Sequence, residues 1–442
     1  MVPSIIGNFF KLNKDIFLSS FIVTFGLLLG RLFGFLREVL IASKFGISSE
    51  SDIATILLTI PDFLVGLIAG GALSAVLIPE FQKIENMRLK INFLIKSSIL
   101  LILALTLICF FLDIFSLNLV FALAPGLEIK SLIIANKYFS LIVWSVPISA
   151  LVGITTAYLH SKNKFFIASM SNFFFNISII SCLLFLNVSL FNALLIGIFL
   201  GAFTRLISQI IFIKFWKYQL NSLFKFSYNR DIFLNYLKVF SSNIIILIFP
   251  IISRALSSKI GGEGYLAAYH FAYKLVEFPL VFTGSVFALV IYPKLSNFKI
   301  SIAEFRSKTI SFGFLTLIIS FVLSLFLYFA SKQYVEIVYN RGQMDHNSIN
   351  TILLLFKFLI FSLPFQSMSL FFIAVLNAKK ETQLPLYINS ISLIIFIPFV
   401  LYMAEYYDTI SVALSFTVIQ SFIFLLLVIS TLKLLYFNKI KD

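Results

Sequence analysis

Long apolar stretches separated by short polar breaks run the length of the chain, and their spacing predicts twelve helices. The apolar windows fall at about 17–45, 52–79, 93–118, 133–159, 165–187 and 190–216. After a polar, aromatic break around Tyr218 to Asp231 they resume at 232–258, 265–293, 305–330, 348–377, 383–403 and 410–437. Most exceed the roughly 18 residues that cross a hydrocarbon core as a helix, and none shows the short alternating segments of a membrane β-barrel. Lipid offers a backbone N–H or C=O no partner, so helices, which satisfy their own, are the expected solution. The expected fold is an all-α polytopic membrane protein of about twelve transmembrane helices. Six helices in each half suggest two lobes, residues 1–220 and 221–442, around a central cavity, in the manner of transporters whose bundles rock about a central site. No sequence repeat relates the halves, so the grouping rests on helix number.

Composition agrees with a lipid environment. Of 442 residues, 60% are hydrophobic and 12% charged, and the mean hydropathy of +1.03 lies far outside the soluble range. The first apolar segment continues into Arg31 and Arg37 rather than into a small-residue cleavage site, so the first helix is expected to stay attached. The 55 Phe residues form a general bias, read as lipid-facing or packing filler. Cys109 and Cys182 lie inside apolar stretches and read as small hydrophobes. His160, His270 and His346 are far apart and show no ligand spacing, so no metal is expected. GxxxxGK[ST], GxSxG and HExxH are absent. That pattern predicts a transporter rather than an enzyme, with no catalytic residue and no cofactor. Energy would come from the membrane potential, a monovalent ion gradient or a partner.

The net charge of +15 could suggest nucleic acid, but its distribution follows membrane topology instead. With Lys11 and Lys14 placed inside, alternate breaks carry Lys83, Arg88 and Lys90; Lys162 and Lys164; Lys214, Lys217, Lys225 and Arg230; Lys294, Lys299, Arg306 and Lys308; Lys379 and Lys380; and Lys433, Lys439 and Lys441. The intervening breaks hold Lys44, Lys130, Lys137, Lys259, Lys332 and Arg341. Cationic residues collect on cytoplasmic loops, which predicts that both termini are cytoplasmic in a multi-pass plasma-membrane protein.

Charges within the apolar windows carry the candidate chemistry, because each costs about 2.5–3.5 kcal/mol to insert without a partner, a cavity or a use. In GRLFGFLRE, Arg31, Gly34, Arg37 and Glu38 share one sector of the helix. Gly30 and Gly34 permit close approach of a helix or ligand and favour a bend. Two guanidiniums here suit phosphate. They also suit a structural role, Glu38 neutralising Arg37 or Arg37 snorkelling to an interface. Asp62 is a further buried candidate, with Asn176, Asn243 and Asn389 as neutral polar groups; Arg205 is placed to snorkel and Arg254 lies near a helix end. Lys274 and Glu277, three apart, can pair as a structural bridge or as a cationic contact held by its partner. Pro279 and Gly284 soften that helix.

Residues 29–81 resemble the N-terminal signature of the MurJ/MviN lipid II flippases of the MOP superfamily. The family's S-R-x-x-G-x-x-R-D helix is matched by Gly30, Arg31, Gly34, Arg37 and Glu38, its FG turn by Phe45 and Gly46, and its helix-two Asp by Asp52. Its LPN…EGA…P pattern is matched by Pro61, Asp62, Gly71, Ala72 and Pro79. Ala124 to Gly126 resembles its APG, Tyr273 to Pro279 its D-R-L-x-E-F-P, Tyr339 to Gly342 its Y-x-R-G loop, and Asn377 to Pro385 its turn before helix eleven. The resemblance implies a MOP/MATE-like fold with a cationic central cavity that flips lipid II, an undecaprenyl-pyrophosphate-linked peptidoglycan precursor, by alternating access. Membrane lipids and cell-wall synthesis machinery are the implied partners. Arg31, Arg37 and Lys274 would hold the pyrophosphate, with Asp52, Glu38, Arg254 and Glu277 completing the substrate-binding set. Lys274 stands for Arg and Glu38 for Asp; Val65 and Gly66 replace a basic pair and Gly70 a Glu. The family's last two helices, which form a groove for the lipid tail, are expected to be absent. The competing readings are a cation-coupled drug or metabolite exporter, or a flippase for another lipid-linked oligosaccharide, of the same superfamily.

Overall fold

The computed structural model describes residues 2–69, 72–214, 247–286, 302–379, 381 and 383–436, and every regular element among them is helical. The first half holds α1 (Val2–Phe45), α2 (Ser49–Ala69), α3 (Ala72–Lys83), α4 (Met87–Ile114), α5 (Ser116–Leu123), α6 (Ile129–Ile142), α7 (Val146–Ser161), α8 (Phe165–Ser169), α9 (Ser171–Phe185) and α10 (Leu190–Ile213). The second holds α11 (247–261), α12 (Tyr265–Leu280), α13 (Ile302–Phe329), α14 (Ser331–Tyr339), α15 (His346–Leu359), α16 (Ser362–Ala378), α17 (Gln383–Tyr407) and α18 (Ser411–Tyr436). Each of the twelve apolar windows contains helix. Among the described residues, five helical stretches are long and apolar enough to cross a bilayer, and α15 with α16, bent by 49°, makes a sixth if the pair is one span.

Several windows are broken helices, and at three of the breaks a proline supplies the reason. Pro147 cannot donate to the carbonyl of Val143, and the chain passes from α6 to α7 through a 3-10 turn over Val143–Ser145. Pro364 likewise cannot serve the carbonyl of Ile360, where α15 gives way to α16. The Ser324 hydroxyl donates to that carbonyl at 2.9 Å, so the freed acceptor is satisfied without water. Pro279 precedes the change from α-helix to π-helix over Val281–Val286, and the Thr283 hydroxyl returns to the Pro279 carbonyl at 3.3 Å.

The chain divides into two compact units. One comprises residues 1–40, 56–120 and 132–243, the other 41–55, 121–131 and 244–442. Segments 41–55 and 121–131, which the helix count assigns to the first lobe, therefore belong to the second unit. The expected boundary at 220/221 lies outside the described residues. The core of the first unit gathers Leu77, Phe81, Ile91, Ile154 and Tyr158, with Phe81 edge-on to Phe93 at 5.2 Å and to Tyr158 at 5.5 Å. In the second, Phe249 packs on Phe396 at 4.8 Å and Phe416 at 5.8 Å, and Tyr273 meets Phe416 at 5.4 Å.

The Tyr339–Gly342 loop is anchored within the second unit. Tyr339 is fully buried and its hydroxyl donates to the Phe271 carbonyl at 3.1 Å. Gly342 has φ +65°, and a Cβ there would run into the Ser43 carbonyl. The next residue, Gln343, donates its N–H to that same carbonyl at 2.8 Å. Gly342→Ala should therefore cost about 1–3 kcal/mol, read as a lowered melting temperature in detergent; an unchanged transition would show that the loop carries no load.

Asp345 caps α15, accepting from the Ser348 N–H at 2.8 Å. Hydrogen bonds from Ser348, hydroxyl and N–H, hold its carboxyl below the ordinary range. A lowered folded-state value means that the cap stabilises above the unfolded value, roughly pH 4, and is lost as the pH falls through the folded one. Asp345→Ala should lower the melting temperature at neutral pH, and the gap to wild type should close in acid.

Candidate functional site

The sequence-selected charges divide between the units: Arg31, Arg37 and Glu38 lie in the first, and Asp52, Arg254, Lys274 and Glu277 in the second.

In the first unit, glycines at every fourth position line one side of α1. A Cβ on Gly30 would come within 2.9 Å of Asn172 Cβ, and one on Gly34 within 3.2 Å of Asn176 Nδ2. Asn176 Nδ2 donates to the Gly30 carbonyl at 3.0 Å. These glycines thus serve close packing of α1 on α9, as small residues do between membrane helices. The expected bend does not interrupt α1, which is helical throughout its 44 residues.

Arg31 and Arg37 end in opposite circumstances. Arg31 is exposed and, among the described residues, has no hydrogen-bond or ion-pair partner. Arg37 is 5% exposed. Its Nη2 lies 2.6 Å from Glu38 Oε1 and 3.3 Å from Asp62 Oδ2, while its Nε is buried without a partner. A guanidinium withdrawn from water needs such compensation, and α2 supplies half of it.

Arg205 was placed by the sequence to snorkel; it is instead buried at 5%. Its guanidinium stacks over Phe175 at 4.7 Å, and Nη2 reaches the Ser149 carbonyl at 3.4 Å. Its Nε has no partner, and the Asp62 carboxylate lies within electrostatic reach.

In the second unit, Asp52 is fully buried. Its Oδ2 accepts from the Gly264 N–H at 2.6 Å and its Oδ1 from the Ala267 N–H at 2.7 Å, so both oxygens are taken by the start of α12. Unpaired N–H groups and the positive end of the helix dipole both favour a carboxylate there. On α12, His270, Lys274 and Glu277 recur at i, i+4 and i+7 and share a face. Lys274 Nζ lies 2.6 Å from Glu277 Oε2, with side chains 26% and 35% exposed. From α11, Arg254 Nη1 lies 3.2 Å from His270 Nδ1, and its Nε donates to the Pro250 carbonyl at 3.1 Å. A guanidinium only donates, so Nδ1 accepts and the ring proton sits on Nε2. Tyr273 donates to Gln366 Oε1 at 3.2 Å, which continues to Ser362 at 2.8 Å.

His270 was absent from the sequence-selected set, Asp62 was noted without a role, and Arg205 was read as a snorkelling side chain. A carboxylate within an apolar window, beside a helix with two arginines, is the signal that would have drawn Asp62 in. Asn389 donates to its own helix's Pro385 carbonyl at 2.7 Å; Asn243 and Gly70 lie outside the described residues. Cys109 and Cys182 are buried free thiols, and among the described residues no group of His, Cys, Asp or Glu could hold a metal.

The family model described as "Lipid II flippase MurJ" matches residues 41–441. A probable lipid II flippase MurJ from Aquifex aeolicus is 26% identical over 384 residues, 84% of this chain and 74% of the relative. One from Buchnera aphidicola subsp. Acyrthosiphon pisum is 26% identical over 431 residues, 90% and 80%. A solved lipid II flippase MurJ in an inward closed conformation has a TM-score of 0.76 at 22% identity, covering 94% of this chain and 87% of that one. An inward-facing multidrug resistance MATE family transporter of the MOP superfamily has 0.73 at 12%, covering 92% and 94%. These structural likenesses show the fold, an all-α MOP/MATE-like membrane protein.

Asp52→Ala should cost about 2 kcal/mol, since it leaves two N–H groups at the buried start of α12 without acceptors. Asp52→Asn, which keeps one acceptor, should cost less. Thermal unfolding in detergent separates the two, and equal melting temperatures for all three proteins would remove the cap from the account.

Proposed function

The chain belongs to the lipid II flippase MurJ family, and on that premise we propose that it carries lipid II across the plasma membrane by alternating access, gripping the pyrophosphate with cationic side chains. Family membership supports the substrate; the exposed, unpartnered guanidinium of Arg31 is the observation that carries the mechanism. Its planar fork of donors matches two phosphate oxygens, and no protein acceptor among the described residues competes for them.

The other charges take supporting parts. Within the second unit, Lys274, partly exposed and held by Glu277, offers phosphate a point charge rather than a fork of donors. Arg37 contributes through a charge already balanced by Glu38 and Asp62. Asp52 sets the start of α12, the helix that carries Lys274, and so positions a cation without touching substrate. Arg254, bonded to His270, adds positive potential on the same helix pair. The head group travels while the polyprenyl tail stays in lipid, both termini lie in the cytoplasm, and the membrane potential or a monovalent ion gradient drives the cycle.

In cells depleted of their own flippase, Arg31→Ala should reach the membrane at wild-type level and fail to restore growth. With each charge-assisted hydrogen bond worth about 1.5–3 kcal/mol, flipping by purified protein should fall roughly 10- to 100-fold. Lys274→Ala should fall less and Lys274→Arg should retain activity. Full complementation by Arg31→Ala would exclude phosphate capture at α1.

A further inference from the structure

Two carboxylates share one nitrogen of Arg37, and they differ in the properties that govern exchange. Glu38 is the next residue on α1, its side chain is 3% exposed, and it sits at 2.6 Å. Asp62 comes from α2, its side chain is 50% exposed, and it sits at 3.3 Å. A close, dehydrated pair is held firmly, because separating it leaves a bare charge in a poor solvent. A longer contact to a half-exposed carboxylate is weak, because the freed anion is solvated again at once.

The guanidinium is also incompletely used. Both contacts run through Nη2, and Nε is buried with no acceptor. An arginine recognises phosphate best through two parallel N–H bonds, and here no carboxylate engages it that way. Arg205 repeats the pattern: a buried guanidinium with one 3.4 Å bond, an unpartnered Nε and no carboxylate within ion-pair distance among the described residues. Asp62 is the carboxylate whose field reaches both arginines. It follows Pro61, which cannot donate to the Leu57 carbonyl, so α2 lacks one backbone hydrogen bond beside it.

We infer that Asp62 is an exchangeable counter-ion that weakens the first unit's hold on a diphosphate and thereby speeds its release. Resting on the pyrophosphate reading above, the step is an exchange of partners. The diphosphate displaces Asp62 from Arg37, and Asp62 stays in the field of Arg205. When the ligand leaves, Asp62 returns, and Arg37 is never left with Glu38 as its sole compensation against Arg205 and Arg31. Transport requires this balance, since a site that binds too well does not let go.

The test uses the full-length chain in nanodiscs, with undecaprenyl diphosphate as the probe for binding and lipid II for flipping. Asp62→Asn should bind the probe roughly tenfold more tightly and flip more slowly at saturating lipid II; Asp62→Ser should do the same, and Asp62→Glu should match wild type. In an Arg37→Ala background the gain from Asp62→Asn should largely vanish, as it must if the two side chains are coupled. Unchanged or weaker binding in both Asp62→Asn and Asp62→Ser, with Arg31→Ala still lowering affinity, would overturn the exchange and leave the phosphate reading standing. Unchanged binding in Arg31→Ala would remove both.

Discussion

A cation buried among apolar helices is costly without an opposite charge close by, and Arg37, with Glu38 and Asp62 beside it, is where the first unit meets that cost by ion pairing. The balance ties α1 to α2 by charge, as the glycine ridge and Asn176 tie α1 to α9 by close packing. Arg31 stands on the same helix with its guanidinium exposed and uncompensated among the described residues. One helix thus carries an arginine with two carboxylates beside it and another without a protein partner among the described residues, and the difference lies in what surrounds each rather than in residue type.

Much of the polar chemistry serves architecture. Asp52 caps α12, Ser324 takes the carbonyl freed by Pro364, Tyr339 and Gln343 hold a loop, and Asp345 caps α15. In all of these but the Tyr339 contact, a backbone group at a helix end or beside a proline finds a side chain or another backbone group. Where water is scarce an unmet donor or acceptor costs several kcal/mol, so such contacts are obligatory rather than decorative. A family-like motif can therefore mark a structural need: the Y-x-R-G resemblance coincides with a left-handed glycine and a buried tyrosine hydroxyl.

On α12 the two demands meet. Its start is fixed by Asp52, its middle carries His270, Lys274 and Glu277 on one face, and beyond Pro279 it loosens into a π-helix. A capped beginning and a π-helical end thus bracket the stretch of α12 that carries the Lys274–Glu277 pair.

Several features were legible in the amino-acid sequence alone. Apolar windows and the insertion cost of charge marked the membrane class, the helices and the short roll of charged residues, because hydropathy and helical period are local properties of a chain. The Lys274–Glu277 pair was legible for the same reason, its partners being one helical turn apart. The fate of Arg37, the burial of Arg205, the capping by Asp52 and the regrouping of segments 41–55 and 121–131 were decided by tertiary structure. Each depends on which helices become neighbours, and whether a charge is paired, stacked or free is set by atoms tens or hundreds of residues away.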